Sequence, residues 1–243
     1  MSADDPLRTI RLMWDPPDEA VATRRRLSLA SVVTAAVDLA DREGLESLSM
    51  RKLARALDAG TMSLYGYVAS KSELLELMLD HVYAGFVRPD PELGWRAQVE
   101  LIALADWELY HRHPWILHTN LWRLALGPNV MDASESMYQA LEALGLKAAE
   151  INHTAHLIGA YVQGAARNTT LELQTQAATG ESTEDYYAAR MDFWEKYFDP
   201  ARYPATTRIW EQGGFDDATN EFRFGLDRLL DGIELLTRER DVD

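Results

Sequence analysis

The feature that most constrains the fold is a pair of short helical segments joined by a tight turn within residues 49–68. Ser49 is a favourable N-cap for the first segment, and the turn Asp58-Ala59-Gly60 follows it. The second segment, residues 61–68, is too short to be stable alone, because an isolated helix needs about 12 residues or more. It therefore requires support from neighbouring helices, which leaves its outward face free. This arrangement is typical of a helix-turn-helix, whose second helix reads the DNA major groove.

Longer helices are predicted on both sides of this pair. Apolar residues recur at three- and four-residue steps from Leu29 to Ala40, which indicates an amphipathic helix, and Gly44 is a suitable residue to end it. Ser70 and Glu73 have the spacing of a capping box that opens a fourth helix. The apolar positions of this fourth helix are Leu74, Leu75, Leu77, Met78 and Val82. We therefore expect a three-helix head, residues 27–70, followed by a connecting helix.

Three motifs in this region match a known family. They are Ser-Met-Arg-Lys-Leu-Ala at residues 49–54, Leu-Tyr-Gly-Tyr-Val at 64–68 and Lys-Ser-Glu-Leu-Leu at 71–75. With these motifs, residues 29–88 resemble the DNA-binding domain of the TetR family of bacterial repressors. The resemblance implies the head just described, joined to an α-helical domain that binds a ligand and forms a dimer.

Two positions depart from the family pattern. Asp58 stands where the turn usually has Gly, and because Asp tolerates a left-handed backbone, we expect the turn to form. Gly66 stands where members usually have a larger, often polar or basic side chain. We therefore expect one DNA contact to be missing there and the recognition helix to be weakened by about 1 kcal/mol.

The resemblance implies that nine residues form the DNA-contacting surface. They are Ser49, Arg51, Thr61, Met62, Ser63, Tyr65, Gly66, Tyr67 and Lys71. Their chemistry suits the role, because hydroxyl groups bond phosphate oxygens and an arginine can bind guanine O6 and N7 together. Lys71 lies near a helix N-terminus, which also favours a phosphate. Alternatively, Tyr65 packs between helices and Lys71 is an ordinary surface residue.

The formal net charge of −15 is unusual for a protein that binds DNA. Its distribution explains part of this, because residues 1–88 hold 11 basic and 13 acidic residues whereas the remainder holds 13 and 26. We therefore expect the C-terminal part to repel DNA and a local basic patch to dock on it. The patch consists of Arg51, Lys52, Arg55 and Lys71.

The composition favours a compact, soluble, intracellular protein, and the family resemblance implies the bacterial cytoplasm. Hydrophobic residues make up 47% of the chain, enough for a sizeable core. The chain has no cysteine, which excludes disulfides, thiolate-bound zinc and a cysteine nucleophile. Its apolar runs are too short to cross a membrane, and the first residues lack the apolar centre of a signal peptide.

The chain divides into an N-terminal extension at residues 1–26, the head at 27–70, and a ligand-binding and dimerisation body at 71–243 that begins with a connecting helix at 71–88. The extension is expected to be flexible and without a packed core. Its residues Arg24 to Arg26 either reach into a minor groove or belong to a solvated tail. Leu12, Met13 and Trp14 form an apolar patch that can dock on the rest of the protein.

Helical periodicity continues to the C-terminus, so we expect an all-α fold. Pro and Gly residues delimit helices at residues 94–111, 115–126, 130–144, 148–175, 185–198 and 217–238, and residues 200–214 are expected to be irregular. Apolar stripes run from Ile151 to Ala166 and from Phe222 to Leu236. They either pair with a second chain in a four-helix dimer interface or belong to the intrachain core. A repressor that reads a palindrome needs two heads, which favours the dimer.

The middle of the chain is rich in large amphipathic side chains, which suits a small-molecule pocket, although most of the tryptophans are expected in the core. The residues predicted to contact a ligand are Trp107, His111, Trp122, His156 and Tyr161. His153 and His156 lie one helical turn apart, but a lone histidine pair is a weak sign of a metal site. We therefore predict no metal, no cofactor and no catalytic residue.

These patterns predict a homodimeric repressor that binds a palindromic operator on double-stranded DNA, without any membrane partner. A small hydrophobic or aromatic effector is expected to release it. One alternative is an α-helical enzyme acting on a hydrophobic small molecule, although the chain has no Ser-His-Asp spacing, phosphate loop or carboxylate-rich metal motif. The other is an interaction module whose head binds protein, an idea that Gly66 and the overall acidity keep open.

Overall fold

A computed structural model describes residues 7–16, 27–120, 125–215 and 220–238. Within these ranges every regular element is helical, which confirms the predicted all-α class. The α-helices are α1 Arg8–Trp14, α2 Leu29–Glu43, α3 Met50–Ala56, α4 Thr61–Leu64, α5 Lys71–Val82, α6 Trp95–Arg112, α7 Pro128–Glu142, α8 Ala148–Thr179, α9 Thr183–Ala188, α10 Met191–Lys196, α11 Pro204–Glu211 and α12 Glu221–Arg238. Two 3-10 turns lie at Tyr83–Gly85 and Pro114–His118.

The head consists of α2, α3 and α4 around a fully buried centre. Its deepest side chains are Val32 of α2, Leu53 of α3 and Leu64 of α4, each without solvent exposure. Ser28 caps α2, and Gly44 ends it with a φ of 78°. Because α4 has only four residues, its position depends on the burial of Leu64 and of Val68 just after it.

The turn between α3 and α4 forms as expected despite the absence of glycine at its centre. Asp58 adopts a φ of 49°, the left-handed conformation predicted for it, and the Ala59 amide donates to the Ala54 carbonyl at 2.9 Å. Gly66 differs from the expectation, because α4 ends at Leu64 and Gly66 lies in the turn after it. A glycine outside a helix does not weaken that helix.

The connecting helix α5 is shorter than predicted and ends at Val82 rather than Arg88. Ser70 caps it by accepting from the Glu73 amide at 3.1 Å. The reciprocal half of the predicted capping box is shifted, because the Glu73 carboxylate accepts from the Ala69 amide at 2.6 Å. Helix α5 packs against α2 of the head and α7 of the body.

Helix α1 corrects the expectation of an extension without packing. It lies against α5, where Arg8 forms an ion pair with the nearly buried Glu73 and donates to the Tyr67 carbonyl at 3.3 Å. At its other end, the Trp14 indole N–H donates to the Leu126 carbonyl at 2.7 Å. The predicted apolar patch therefore docks. The basic arm Arg24 to Arg26 lies outside the described residues.

The body is built on α6, α7 and α8, which pack against one another, and α12 packs on α8. Three predicted segments differ. A 3-10 turn replaces the start of the helix expected at residues 115–126. The helix expected at residues 185–198 is divided at Arg190. Helix α11 occupies most of the stretch 200–214, which was expected to be irregular. Pro204 begins α11, because a proline at the first helical position already has a helical φ and needs no N–H partner.

The apolar stripes of α8 and α12 are mainly intrachain core. Ile158 and Val162 of α8 and Leu226 and Leu230 of α12 are almost completely buried within the one chain. Other apolar side chains on the same helices remain exposed: Leu157, Leu171, Leu173, Phe224, Leu235 and Leu236. Among the described helices, none has the length and apolar character needed to span a bilayer.

Candidate nucleic-acid interface and ligand cavity

The outward face of the head carries most of the residues predicted to contact DNA. Met62 is 81% exposed and Tyr65 is 45% exposed, and Ser63 and Gly66 beside them are also exposed. Thr61, which opens α4, is partly exposed. The first turns of α3 and α5 add further exposed side chains: Ser49, Arg51 and Lys71. Leu64, the buried residue of α4, holds the outward side of this helix in place.

Three of the predicted DNA-contacting residues also have intramolecular bonds. Ser49 caps α3 by accepting from the Lys52 amide at 3.3 Å, and the Lys71 ammonium donates to the Leu45 carbonyl at 3.0 Å. The Tyr67 hydroxyl donates to the Leu27 carbonyl at 2.8 Å. Tyr67 therefore has no hydroxyl hydrogen left to donate to a phosphate in this arrangement. DNA contact by the nine residues stays a prediction.

The basic patch of the head is partly paired. The Lys52 ammonium lies 2.8 Å from the Glu43 carboxylate, and its hydrogen bond and charge hold the pKa of Glu43 below the ordinary value. Arg51, Arg55 and Lys71 are exposed beside it. These positive side chains sit on the same small domain as α4, in a protein that is otherwise strongly acidic.

The body contains a cavity of about 300 Å³ between the end of α5, the following 3-10 turn, and helices α6, α7 and α8. Its apolar lining includes Phe86, Ile102, Leu109, Val130, Met137 and Ile158. Its polar lining includes Tyr83, Asp106, Tyr110, Tyr138, His156 and Gln163. An apolar wall with a few polar groups is the usual composition of a site for a small organic molecule.

Asp106 is the most unusual group in this cavity. Burial raises the pKa of its carboxyl to about 7, because a low-dielectric surrounding disfavours the charged form. Two tyrosine hydroxyls, those of Tyr83 and Tyr110, lie 3.4 Å from each other in the same region. Burial, with the charge of Asp106 as a second cause, raises the pKa of both tyrosines above the ordinary value.

The residues predicted to contact a ligand are divided between two places. His156 lines the cavity, whereas Trp107, His111 and Tyr161 do not. The Trp107 ring stacks on Phe222 of α12 at 4.1 Å and lies 4.4 Å from the His111 ring.

Tyr161 donates from its hydroxyl to the Phe222 carbonyl at 2.9 Å. Together with Trp107 and His111 it packs α6 and α8 against α12. Trp122 lies outside the described residues. Ligand contact by the five residues stays a prediction. Where the chain is described, no group of three or more His, Asp or Glu side chains that could hold a metal ion is present.

Sequence reasoning missed Asp106, although the sequence contains a signal for it. Asp106 lies four residues after Ile102 and four before Tyr110, both of which are buried on α6. A carboxylate on the buried stripe of a helix is expensive unless it is paired, so such a residue is a candidate for function. The prediction of ligand contacts considered large amphipathic side chains and therefore left Asp106 out.

Two sets of contacts connect the head with the cavity. Asp80 of α5 is buried and accepts from the Asn129 and Val130 amides at 2.9 and 3.0 Å, so it caps α7 from another helix. Asp41 of α2 accepts from the Trp115 indole at 2.8 Å and lies 2.8 Å from His113, just after α6. Both α6 and α7 line the cavity.

Comparison with known proteins gives matches over nearly the whole chain. A family described as bacterial regulatory proteins, tetR family, matches residues 32–78, and one described as tetracyclin repressor-like, C-terminal domain, matches residues 88–237. The HTH-type transcriptional repressor DrrR1 of Streptomyces coeruleorubidus is 40% identical over 239 residues, which is 97% of this chain and 88% of DrrR1.

Solved structures give the same result. Apo ActR of Streptomyces coelicolor is 26% identical with a TM-score of 0.74, over 88% of this chain and 98% of ActR. ActR in complex with actinorhodin is 27% identical with a TM-score of 0.71, over 87% of this chain and 98% of ActR. The helix-turn-helix head, the helical body with its cavity, and these similarities agree. The chain belongs to the TetR family of bacterial transcriptional regulators.

Proposed function

We propose that this regulator is a homodimeric repressor that occupies a palindromic operator and leaves it when a small hydrophobic or aromatic molecule enters the cavity of the body. The observation that carries the proposal is the division of α4 into two faces. Leu64 is fully buried, whereas Met62 and Tyr65 project into solvent. A four-residue helix with one face buried in the domain and the other face exposed has the form of a recognition helix for a DNA major groove.

The dimer supplies the second head that a palindrome requires. Exposed apolar side chains on α8 and α12, such as Leu171 and Phe224, support a contact between two bodies, because a second chain that covers them removes apolar surface from water. Aromatic residues of α9 and α10, including Tyr187 and Trp194, are also exposed. The dimer is expected to hold its two α4 helices about 34 Å apart, one turn of DNA.

The cavity is proposed to bind the effector without transforming it. Its volume, about 300 Å³, suits a small organic molecule, and ActR, a relative of similar fold, has been crystallised with actinorhodin. DrrR1 is named a repressor, which supports the same sign of regulation here and a binding rather than a catalytic role. A regulator of this kind acts in the bacterial cytoplasm, where the chromosome lies.

Helix α5 is the proposed lever between effector and DNA. It packs on α2 of the head, and its last residue, Val82, lines the cavity together with Tyr83 and Phe86 of the following segment. A ligand against these residues favours one position of α5, and Asp80 transmits that position to α7. The equilibrium shifts only by the difference in ligand affinity between the two states.

The proposal is tested by selecting bound duplexes from random DNA with the purified protein. We expect an inverted repeat whose half-sites are separated by about one helical turn. The double variant Tyr65→Ala/Lys71→Ala should then lose roughly 10- to 1000-fold in affinity for that duplex. The control variant Lys147→Ala removes an exposed lysine from the start of α8 and should leave the affinity unchanged.

Salt dependence separates this proposal from a head that binds protein. Affinity for the selected duplex should fall steeply with added salt, and Lys71→Ala should reduce the slope of that dependence by about one. A protein that is monomeric in solution, or that prefers no duplex over random competitor DNA, would contradict the proposal.

A further inference from the structure

Asp106 is a carboxylate without a protein partner at the wall of the cavity. Among the residues that the structure describes, no hydrogen bond or ion pair reaches it. Its surroundings on α6 are largely apolar, since Ile102 one turn before it and Tyr110 one turn after it are buried. A charge in such a place is costly unless something compensates it. Because Asp106 lines the cavity, a ligand held there can reach its carboxylate.

We propose that the effector carries a protonated amine on an aromatic or apolar body, and that this ammonium group docks on the Asp106 carboxylate. The inference rests on the proposed effector role of the cavity and specifies its ligand class. An ammonium placed there donates a charge-assisted hydrogen bond to the Asp106 carboxylate. Tyr83 and Tyr110 also line the cavity, and the rings and hydroxyl oxygens of tyrosines attract cations.

The other charged groups of the cavity agree with a cationic ligand whose body extends away from Asp106. Glu108 on α6 adds a second carboxylate to the lining. The positively charged candidates are Arg112, six residues further along α6, and His156 on α8. Six residues correspond to about 9 Å of helix rise, so Arg112 does not occupy the place of the proposed ammonium. An anionic ligand group beside Asp106 would be repelled.

The protonation of Asp106 gives the proposal a characteristic pH dependence. Burial raises the pKa of its carboxyl to about 7, so the carboxylate is mainly charged at pH 8 and mainly neutral at pH 6. Amine affinity should therefore fall about tenfold between pH 8 and pH 6. Burial holds the pKa of Tyr83 and Tyr110 above the ordinary value, so these hydroxyls stay neutral across this range. The other charged or titratable side chains that line the cavity are Glu108, Arg112, Tyr138 and His156.

The test compares two probes that share one ring system and differ at one group. 1-Naphthylmethylamine carries an ammonium where 1-naphthalenemethanol carries a hydroxyl, and each is titrated calorimetrically into the full-length protein at pH 8. We expect the amine to bind at least about tenfold more tightly than the alcohol, a difference of about 1.4 kcal/mol. In Asp106→Asn the amine should lose that advantage, while the alcohol binds within about threefold of its original affinity.

A matched variant and the pH profile complete the design. Glu142→Gln removes an exposed carboxylate of α7 that does not line the cavity and should change the amine affinity by less than about threefold. In Asp106→Asn the fall in amine affinity between pH 8 and pH 6 should shrink, because the titrating carboxyl group is gone. The replacement of a carboxylate by an isosteric amide keeps the size of the side chain, and an unfolding curve of the variant verifies its fold.

Several outcomes would overturn the proposal. Equal affinity for the two probes, a preference for the alcohol, or an amine preference that survives in Asp106→Asn would each show that no ammonium docks on Asp106. Absence of binding by both probes at millimolar concentration would do the same. Operator binding by the same preparation is measured in parallel. If it persists, the regulator assignment stands although the amine proposal has failed.

Discussion

The functional groups of the head face solvent, whereas those of the body face the cavity between its helices. In the head, short helices bury Leu53 and Leu64 completely and turn Met62 and Tyr65 outward. In the body, long helices turn Asp106 and His156 toward an internal cavity. The head is therefore built to touch a large partner, whereas the body is built to enclose a small one.

This difference determines what substitutions should do in each region. On the head, residues that support the fold and residues that meet the partner are distinct, so stability and binding are separable. In the body, Asp106 is surrounded by the same side chains that form the core, so a change that affects ligand binding also changes stability.

The largest effect is expected inside the head. Leu64→Ala removes a fully buried side chain from α4, and we expect a loss of roughly 2–5 kcal/mol in the free energy of unfolding. Met62→Ala, on the outer face of the same helix and 81% exposed, should change that free energy by less than about 0.5 kcal/mol. Urea unfolding measures both.

Binding to the selected operator distinguishes the two positions further. Met62→Ala should weaken operator affinity while its unfolding curve stays that of the original protein. A large stability loss in Met62→Ala, or an unchanged stability in Leu64→Ala, would mean that the two faces of α4 are not separable.

In the body, removing the charge of Asp106 should raise stability. Its pKa rises from the ordinary value of 3.8 to about 7 because of burial, so the folded protein holds the proton more tightly than the unfolded chain. The unfolding free energy therefore falls as the pH rises from about 4 to about 7. At pH 8 we expect Asp106→Asn to be more stable than the original protein by roughly 2–4 kcal/mol, with cavity water reducing the effect.

Near pH 4 the difference between the two proteins should vanish, because the aspartic acid is then protonated in the folded state. Unfolding in urea at pH 4.5, 6 and 8 measures this convergence. A constant difference at all three pH values would indicate that Asp106 does not titrate in the cavity as described.

The contrast between head and body also explains which features the sequence could predict. The head depends on local signals: Ser49 and Ser70 cap helices, Gly44 ends one, and Asp58 takes the left-handed conformation expected for it. Such signals act within a few residues, so the sequence alone reveals them. The starts of α2, α3, α4 and α5 therefore followed from the sequence, although α4 and α5 end earlier than predicted.

The body depends on which helix faces meet, and spacing does not determine this. The residue types of Trp107, His111 and Tyr161 suit a pocket, but Trp107 and Tyr161 pack against Phe222, which is more than sixty positions from Tyr161. The cavity forms where α6, α7 and α8 converge on the end of α5. Similarly, α1 could not be anticipated, because its stability comes from Glu73 and the distant Leu126.

The contact between α5 and the start of α7 should depend on Asp80. This buried carboxylate accepts from the Asn129 and Val130 amides and from the Asn129 side chain at 3.0 Å. Asp80→Ala leaves these donors at the start of α7 without an acceptor, and we expect a loss of about 2 kcal/mol in the free energy of unfolding. Asp132→Ala removes a carboxylate from α7 that is exposed and paired with Arg88, and its effect should stay below about 1 kcal/mol.

Operator release supplies a second measurement for Asp80. If α5 transmits effector binding through Asp80, the Asp80→Ala variant should bind the operator yet respond less to an effector than Asp132→Ala does. Equal release in the two variants would remove Asp80 from the route between cavity and head.

The smallest effect is expected for the contact that joins α1 to the body. Trp14→Phe keeps an aromatic ring but removes the indole N–H that donates to the Leu126 carbonyl at 2.7 Å. Trp14 is 53% exposed, so water can replace the lost donor, and we expect a loss of about 1 kcal/mol or less in the free energy of unfolding. Operator affinity should be unchanged, because the head retains its link to α1 through Arg8. Urea unfolding and operator titration of the same sample test both statements. A change in operator affinity would show that α1 couples the body to the head, and the two regions would then act as one unit.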